Sequence, residues 1–102
     1  MLGLARRAGK LSMGHDMVLD AIKKRKSKLI LFSSDISERA IEEISFATDR
    51  YLKSVPCMNL GETMDEIHAS LGYRAGIISV NDINFANRII ELLNQEVNEY
   101  GR

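Results

Sequence analysis

The sequence has one cysteine, one proline and no tryptophan, and its two histidines are isolated from each other. A single cysteine excludes an intrachain disulfide and a multi-cysteine metal site, and isolated histidines lack the spacing of metal ligands. No apolar run approaches the roughly 20 residues that cross a bilayer, and the N-terminal residues lack the pattern of a secretory signal. We therefore expect a cytoplasmic protein without membrane contact, metal or cofactor.

The charge of the chain is zero in total but unevenly placed. The length of 102 residues and the hydrophobic content of 45% suit a single domain, residues 1–102. Residues 1–34 hold eight Lys or Arg and two Asp, whereas residues 35–102 hold six Lys or Arg and twelve Asp or Glu. If the first third of the chain forms one surface, that surface can bind a polyanion although the whole chain is neutral.

The apolar pattern predicts an alternation of helices and strands. Two uninterrupted apolar runs, Leu29–Phe32 and Ile77–Val80, predict strands that helices cover on both faces. A segment that contains Pro56, residues 53–59, predicts an edge or near-edge strand. Helices are predicted over residues 2–8, 14–24, 35–52 and 63–72, and over a long C-terminal stretch that includes Phe85. The alternation favours an α/β fold, a three-layer α/β/α sandwich with a small four-stranded mixed sheet.

Several local features give more detailed expectations. The run between Gly9 and Gly14 is too short for a helix and predicts a turn. Capping boxes are predicted at Asp35–Glu38 and Thr63–Glu66, from their spacing. Cys57, in the third strand, is expected to be a small buried hydrophobe. Four residues share one face of the second helix and are predicted to be buried: Met17, Val18, Ala21 and Ile22.

Two features of the first third indicate anion binding. A helix that opens at Gly14 presents free backbone N–H groups, and Arg7 and Lys10 would strengthen this site if they lie beside it. The second feature is a basic corner after that helix, formed by Lys23, Lys24, Arg25, Lys26 and Lys28. Five cations in six positions exceed what a helix C-terminus requires. The alternatives are an ordinary helix start at Gly14 and a solvated helix end at the corner.

Catalysis has little support in the sequence. Asp16 and Asp20 share a helical face, but no further ligand or acid–base partner accompanies them, so we expect exposed surface. No nucleophile–base–orienter set is identifiable, and neither a G-x-G-x-x-G nor a Walker-type phosphate loop is present. The sequence therefore predicts a protein that is not an enzyme.

Three segments together resemble a known family. They are LGLARRAGKL (Leu2–Leu11), KSKLILFSSD (Lys26–Asp35) and GIISV with the following NFA (Gly76–Ala86). On these segments the chain resembles the kink-turn RNA-binding ribosomal proteins of the L7Ae and L30e type, and within that family the bacterial YlxQ-like branch. The resemblance spans essentially the whole chain. It implies the same sandwich fold and the binding of a structured RNA.

The resemblance also implies which residues meet the RNA. Gly14 and His15 match the first two positions of the RNA-reading segment, whereas Asp16, Met17 and Asp20 stand where the family has asparagine, glutamate and lysine. The family contacts an extruded base with the loop before its last strand, and the corresponding residues here are Tyr73, Arg74 and Ala75. The lost polar residues predict weak recognition of a standard kink-turn.

Two functional hypotheses follow from the residues and the resemblance. The first is a monomeric, non-catalytic protein that recognises a kinked or bulged structured RNA, ribosomal RNA or another. Its predicted contacts are Arg7, Lys10, Gly14, His15, Asp16, Lys23, Lys24, Lys26, Lys28, Tyr73 and Arg74. The second is a ribosome- or translation-associated protein–protein adaptor of the same fold that has lost kink-turn recognition. An adaptor would use the acidic part of the chain and bind RNA only weakly.

Overall fold

The computed structural model describes residues 1–52 and 54–100, and over these residues five helices alternate with four strands. In chain order the elements are α1 (Leu2–Arg7), β1 (Leu11–Met13), α2 (His15–Lys23), β2 (Leu29–Phe32), α3 (Glu38–Tyr51), β3 (Cys57–Asn59), α4 (Met64–Leu71), β4 (Ile77–Val80) and α5 (Ile83–Tyr100). The predicted α/β class and the alternation of elements are confirmed.

The four strands form one mixed sheet in the order β1-β4-β2-β3. The central pair β2 and β4 is antiparallel, β1 joins β4 antiparallel, and β3 joins β2 parallel. The predicted edge position of the third strand is confirmed, and the carbonyl of Pro56 accepts a hydrogen bond of 2.9 Å from the Ile30 N–H. Proline thus serves the sheet as an acceptor only.

The prediction of a turn between Gly9 and Gly14 was wrong, because this segment contains the edge strand β1. Leu11 lies opposite Val80, and Met13 lies opposite Ile78. Three residues are too few to show an alternating pattern, so the sequence carried no strand signal. The strand forms because β4 offers a row of N–H and C=O groups that need partners.

Helices cover both faces of the sheet, as the uninterrupted apolar runs predicted. On one face Leu29, Leu31, Ile78 and Val80 pack with residues of α4 and α5, and Leu2 of α1 lies against the same cluster. The opposite cluster joins β2 and β4 to α2 and α3 through Val18, Ile22, Ile30, Phe32, Ile44, Ala47 and Ile77. The three-layer arrangement is therefore confirmed.

One of the two predicted capping boxes is present. The Thr63 hydroxyl accepts from the Glu66 N–H at 3.1 Å, and the Glu66 carboxylate accepts from the Thr63 N–H at 2.9 Å. The prediction of a capping box at Asp35–Glu38 was wrong. Ser37 is the N-cap of α3, and its hydroxyl accepts from the Ala40 N–H at 3.2 Å. Asp35 instead accepts a hydrogen bond from the backbone of α4, which ties the β2–α3 loop to that helix.

Two predictions of burial were also wrong. Val18, Ala21 and Ile22 are buried, but Met17 is 57% exposed. At 100° per residue Met17 lies about 100° from the centre of the buried stripe, and it sits in the open first turn of α2. Cys57 is exposed, because it lies on the edge strand β3. Partial burial of its thiol and the negative charge of Asp49 raise the pKa of Cys57, which opposes thiolate formation.

Candidate nucleic-acid interface

The predicted site residues lie at two opposite ends of the sheet. At one end, the Gly14 N–H donates to the Ile77 carbonyl at 2.9 Å. At the other end, the Lys10 carbonyl accepts from the Asn81 N–H and the Lys28 N–H donates to the Val80 carbonyl, both at 2.8 Å. We call these the glycine end and the basic end. Lys10 and Gly14 are separated by the whole of β1, about 13 Å of extended chain. The condition that Lys10 lies beside Gly14 is therefore not met.

The glycine end is built around the start of α2. Gly14 is the N-cap with φ 94°, a conformation that favours glycine, and no side chain caps the helix. A Cβ at this position would lie 3.7 Å from the Tyr73 hydroxyl oxygen. Tyr73 is 48% exposed, so its ring stands beside the open helix end. The structure thus brings together a tyrosine face and the unpaired backbone donors of the first helical turn.

An open hollow of about 380 Å³ lies between this tyrosine and the helix start. It is lined by Met13, Gly14, His15, Asp16, Met17 and Tyr73. Its wall combines an aromatic ring, two methionine side chains and one carboxylate, which suits a flat unpaired base better than a phosphate. The exposed Met17, which the sequence pattern assigned to the core, therefore belongs to this hollow.

The imidazole of His15 is held by two carboxylates. His15 Nε2 lies 2.9 Å from Glu43 Oε2, and His15 Nδ1 lies 3.5 Å from Asp16 Oδ1. Arg39 binds the other oxygen of Glu43 at 3.3 Å. Asp16 is fully exposed at the first turn of α2. The helix end that the sequence analysis treated as a simple anion site therefore carries acidic side chains.

A second hollow of about 360 Å³ lies on the other side of His15. It is lined by His15, Asp35, Ile36, Ser37, Ala40, Met64, Gly76 and Ile77. A Cβ at Gly76 would lie 3.1 Å from Ile36 Cδ1 and 3.2 Å from Met64 Sδ, so glycine keeps this hollow open. Desolvation raises the pKa of Asp35, but the hydrogen bond from the Met64 N–H and neighbouring donors outweigh it, and the net pKa is lowered.

Arg74 and Arg7, two of the predicted RNA contacts, lie in different surroundings. Arg74 Nε lies 3.0 Å from Asp65 Oδ1, so this side chain is held against α4 while remaining 56% exposed. Arg7 lines a separate hollow with Gly3, Arg6, Ser70 and Leu71. Arg7 and Gly14 thus line different hollows, and the condition that Arg7 strengthens the Gly14 site is not met.

Two residues at this end were missed by the sequence analysis. Arg6 donates to the carbonyl of Leu71, the last residue of α4, just before the loop that carries Tyr73. Glu43 reaches His15 from α3, 28 positions along the chain. No local pattern in the sequence signals either contact, because each joins elements that meet only in the folded chain.

The basic end carries six exposed cations, which are Lys10, Lys23, Lys24, Arg25, Lys26 and Lys28. Lys24 Nζ lies 3.1 Å from Asp20 Oδ2. For the other five, the described part of the chain supplies no ion-pair partner. The basic corner predicted from the sequence is exposed, and the backbone of Lys10 lies at the same end of the sheet as that of Lys28.

Among the described residues, no group of three or more His, Cys, Asp or Glu side chains could hold a metal ion. No described helix has the length and hydrophobicity that a membrane span requires. What the two ends offer is recognition: a stacking surface with backbone donors at one end, and a field of positive charge at the other.

The fold defines a class, the small three-layer α/β/α sandwiches. Among solved structures of this class, a protein of unknown function from Bacillus halodurans C superposes with a TM-score of 0.80 at 24% identity, over 91% of this chain and 92% of that one. The 15.5kD RNA binding protein of Giardia lamblia has a TM-score of 0.68 at 10% identity, over 95% of this chain and 81% of that one.

Comparison of sequences identifies the family. The model of the ribosomal protein L7Ae/L30e/S12e/Gadd45 family matches residues 1–70, and the chain belongs to this family. It is 33% identical to the RNA-binding protein YlxQ of Bacillus subtilis (strain 168) over 94 residues, 91% of each chain. It is 30% identical to the RNA-binding protein YlxQ of Enterococcus faecium over 93 residues, 91% of this chain and 87% of that one. The predicted resemblance, including its bacterial branch, is confirmed.

Proposed function

We propose that this protein is a non-catalytic RNA-binding protein that recognises a kinked or bulged structured RNA, ribosomal RNA among the candidates, through its glycine end. The names of its relatives in Bacillus subtilis and Enterococcus faecium support RNA as the ligand. The observation that carries the proposal is the exposed ring of Tyr73 beside the open start of α2 at Gly14. An unstacked base needs a flat face, and the adjoining nucleotide needs donors for its phosphate.

Each group of the glycine end has a role in this proposal. Tyr73 stacks on an extruded base, and the free N–H groups after Gly14 bind the phosphate next to it. His15 lies between the two hollows, where its exposed ring contacts the nucleotide that joins them. Arg74, held by Asp65, faces the backbone beyond the base. The protein works as a monomer in the cytoplasm, and analytical ultracentrifugation tests the first of these points.

The experiment replaces Tyr73 by alanine and, as a matched control, by phenylalanine. Binding of a kink-turn RNA is measured by fluorescence anisotropy for the three proteins. Because one base–aromatic stack is worth about 1–3 kcal/mol, Tyr73→Ala should weaken binding about tenfold or more, whereas Tyr73→Phe should stay within about twofold of wild type. If the alanine variant and the wild type bind with equal affinity, Tyr73 does not contact the RNA and the proposed site is wrong.

A protein–protein adaptor is the second candidate function. It is favoured by Phe46, a large apolar side chain that is 70% exposed on α3, in the acidic part of the chain. An adaptor would lose partner binding with Phe46→Ala and keep whatever weak RNA binding it has, whereas an RNA-binding protein would bind its RNA unchanged. Affinity for a kink-turn RNA, measured at two salt concentrations for the wild type and Tyr73→Ala, separates the two functions. An adaptor should bind weakly and without preference for the kink, and Tyr73→Ala should change that binding little.

A further inference from the structure

We propose that the basic end is a second RNA-binding surface, which holds the phosphates of a double-stranded stem independently of the glycine end. This inference rests on the proposed function in one respect, that the ligand is RNA. It adds a separate surface with a different target: a regular duplex with no kink and no extruded base. Five observations support it: the capping of α2, the conformation of Arg25, the support beneath the lysines, the width of the surface and the distance between the two ends.

The cations of the basic end are not needed to stabilise the end of α2. The Arg25 N–H donates to the Ile22 carbonyl at 3.0 Å, and the Lys26 N–H donates to the Ala21 carbonyl at 2.9 Å. These two bonds form a Schellman motif, in which the backbone itself satisfies the terminal carbonyls of the helix. The positive side chains therefore remain available to an outside partner.

Arg25 occupies a position that suits glycine. Its φ is +58°, the one positive φ of a non-glycine residue in the described chain. The same motif ends α1, where Gly9 has φ 72°, and Gly72 ends α4 with φ 78°. An L-residue in this conformation is strained relative to glycine. The chain thus has glycine at two of these helix ends and arginine at the third. This indicates that the guanidinium group of Arg25 has a function other than ending the helix.

A buried polar chain fixes the backbone below the lysines. Asn81 Nδ2 donates to the Ser12 hydroxyl at 2.9 Å, and Asn81 Oδ1 lies 2.6 Å from the Ser79 hydroxyl. The Ser79 hydroxyl lies 2.7 Å from that of Ser27. Ser27 is 1% exposed and lies between two exposed lysines, so the inward serine directs its neighbours outward. Such a fixed support lowers the ordering cost of binding.

The width of the surface suits several phosphates at once. Leu11 and Leu29 both pair with Val80, one from each side. Lys10 and Lys28 precede these two residues, so their backbones lie two strand spacings apart, about 9.5 Å. Arg25 follows α2 in the same loop that leads to Lys28 and adds a third exposed cation to this end. A rigid row of this width, with no preference for any base, matches the regular backbone of a duplex.

The two ends cannot share one nucleotide. The helix α2 has nine residues and runs from the glycine end to the basic end, a length of about 13.5 Å. An RNA bound at Tyr73 reaches Arg25 only if a stem continues along this helix. A plain duplex can therefore occupy the basic end alone, while a kinked RNA with a long stem can occupy both.

The experiment uses the full chain, a blunt 16-base-pair RNA duplex, and a triple variant with one change in each segment of the basic end. The variant is Lys10→Gln, Arg25→Gln and Lys28→Gln. The control variant removes three positive charges outside the basic end. It carries Arg39→Gln, Arg50→Gln and Arg88→Gln. The slope of log affinity against log salt falls by about 0.9 per lost phosphate contact. We expect the basic-end variant to bind the duplex at least tenfold more weakly with a slope lower by about 2, and the control to stay within twofold.

Two further variants keep this proposal separate from the proposed function. Tyr73→Ala should leave duplex binding unchanged while it weakens kink-turn binding. If the proposed function of the glycine end is wrong, the measurement of duplex binding at the basic end still stands. Arg25→Gly should raise the melting temperature by about 4 °C, since it relieves the strain, and it should weaken duplex binding at the same time. Equal duplex affinity for the wild type and the folded triple variant, or equal losses for the triple variant and its control, would overturn the proposal.

Discussion

Asp16 and Asp20 place negative charge at and near the glycine end, and replacing both residues should strengthen RNA binding. Asp16 is fully exposed in the first turn of α2, and Asp20 follows one turn later, 3.1 Å from Lys24. An ionised aspartate only accepts hydrogen bonds, whereas asparagine also donates. We therefore predict that the double change Asp16→Asn and Asp20→Lys increases the affinity for a standard kink-turn RNA.

The size of the expected gain in RNA affinity follows from the positions of the two charges. Removing a unit charge about 6 Å from a phosphate in a water-like medium is worth about 0.7 kcal/mol. Reversing a charge one helical turn further, about 11 Å away, adds roughly the same amount. The sum is about 1.5 kcal/mol, or about tenfold in affinity. The lost Asp20–Lys24 pair is exposed on both sides, so its removal should cost the fold at most about 0.5 kcal/mol.

The assay is a titration of labelled kink-turn RNA at low salt, where screening is weakest. At 0.01 M salt the Debye length is about 30 Å, so both charges act on the phosphate almost in full. The matched control is Asp49→Asn with Glu91→Lys, which makes the same charge change on α3 and α5 and also breaks one helical ion pair, Arg88–Glu91. Tight binding by the wild type, with no gain in the double variant, would refute the reasoning about charge.

Three further predictions concern the fold and the glycine end. Thr63→Ala removes the capping box of α4 and should lower the free energy of unfolding by about 1 kcal/mol in urea titrations. Gly14→Ala forces alanine to φ 94° and should cost about 1–2 kcal/mol by the same measurement. Desolvation raises the pKa of Asp35, but hydrogen bonds, first among them that from the Met64 N–H, outweigh it and lower the pKa in the folded chain. Its contribution to stability is therefore present above the pKa of the unfolded state and is lost as pH falls through the folded pKa. Asp35→Asn should therefore reduce stability at pH 7 and reduce it less as the pH is lowered into the acid range, as thermal unfolding over a series of pH values would reveal.

The sequence was informative wherever a pattern was long or a local rule applied. Leu29–Phe32 and Ile77–Val80 were predicted as covered strands because nothing polar interrupts them, and Thr63 was predicted as a cap because its partner is three residues away. Both features depend on neighbours in the chain. The capping box at Asp35 failed because a distant donor, the Met64 N–H, competes for that carboxylate.

The candidate site was less predictable because it depends on which elements meet. Tyr73 reaches Gly14 across a loop and a helix start, and only the sheet order brings them together. Lys10 and Gly14 are close in sequence, but the strand between them places them at opposite ends of the sheet. The residue types of both surfaces could be recognised in the sequence. That they form two separate surfaces follows from the topology of the sheet.

The position of β4 at the centre of the sheet has a consequence for synthesis on the ribosome. Of the three strand pairs, only β2–β3 can form before residues 77–80 have been made, because β1 and β2 both pair with β4. Until then the apolar edge of Leu29–Phe32 has no partner, and exposed edges of this kind favour aggregation. The nascent chain must therefore expose one edge of an apolar strand from the synthesis of β2 until that of β4, and cooperative folding of the sheet must wait for β4. Truncated chains that stop before Ile77 should accordingly be protease-sensitive and prone to associate.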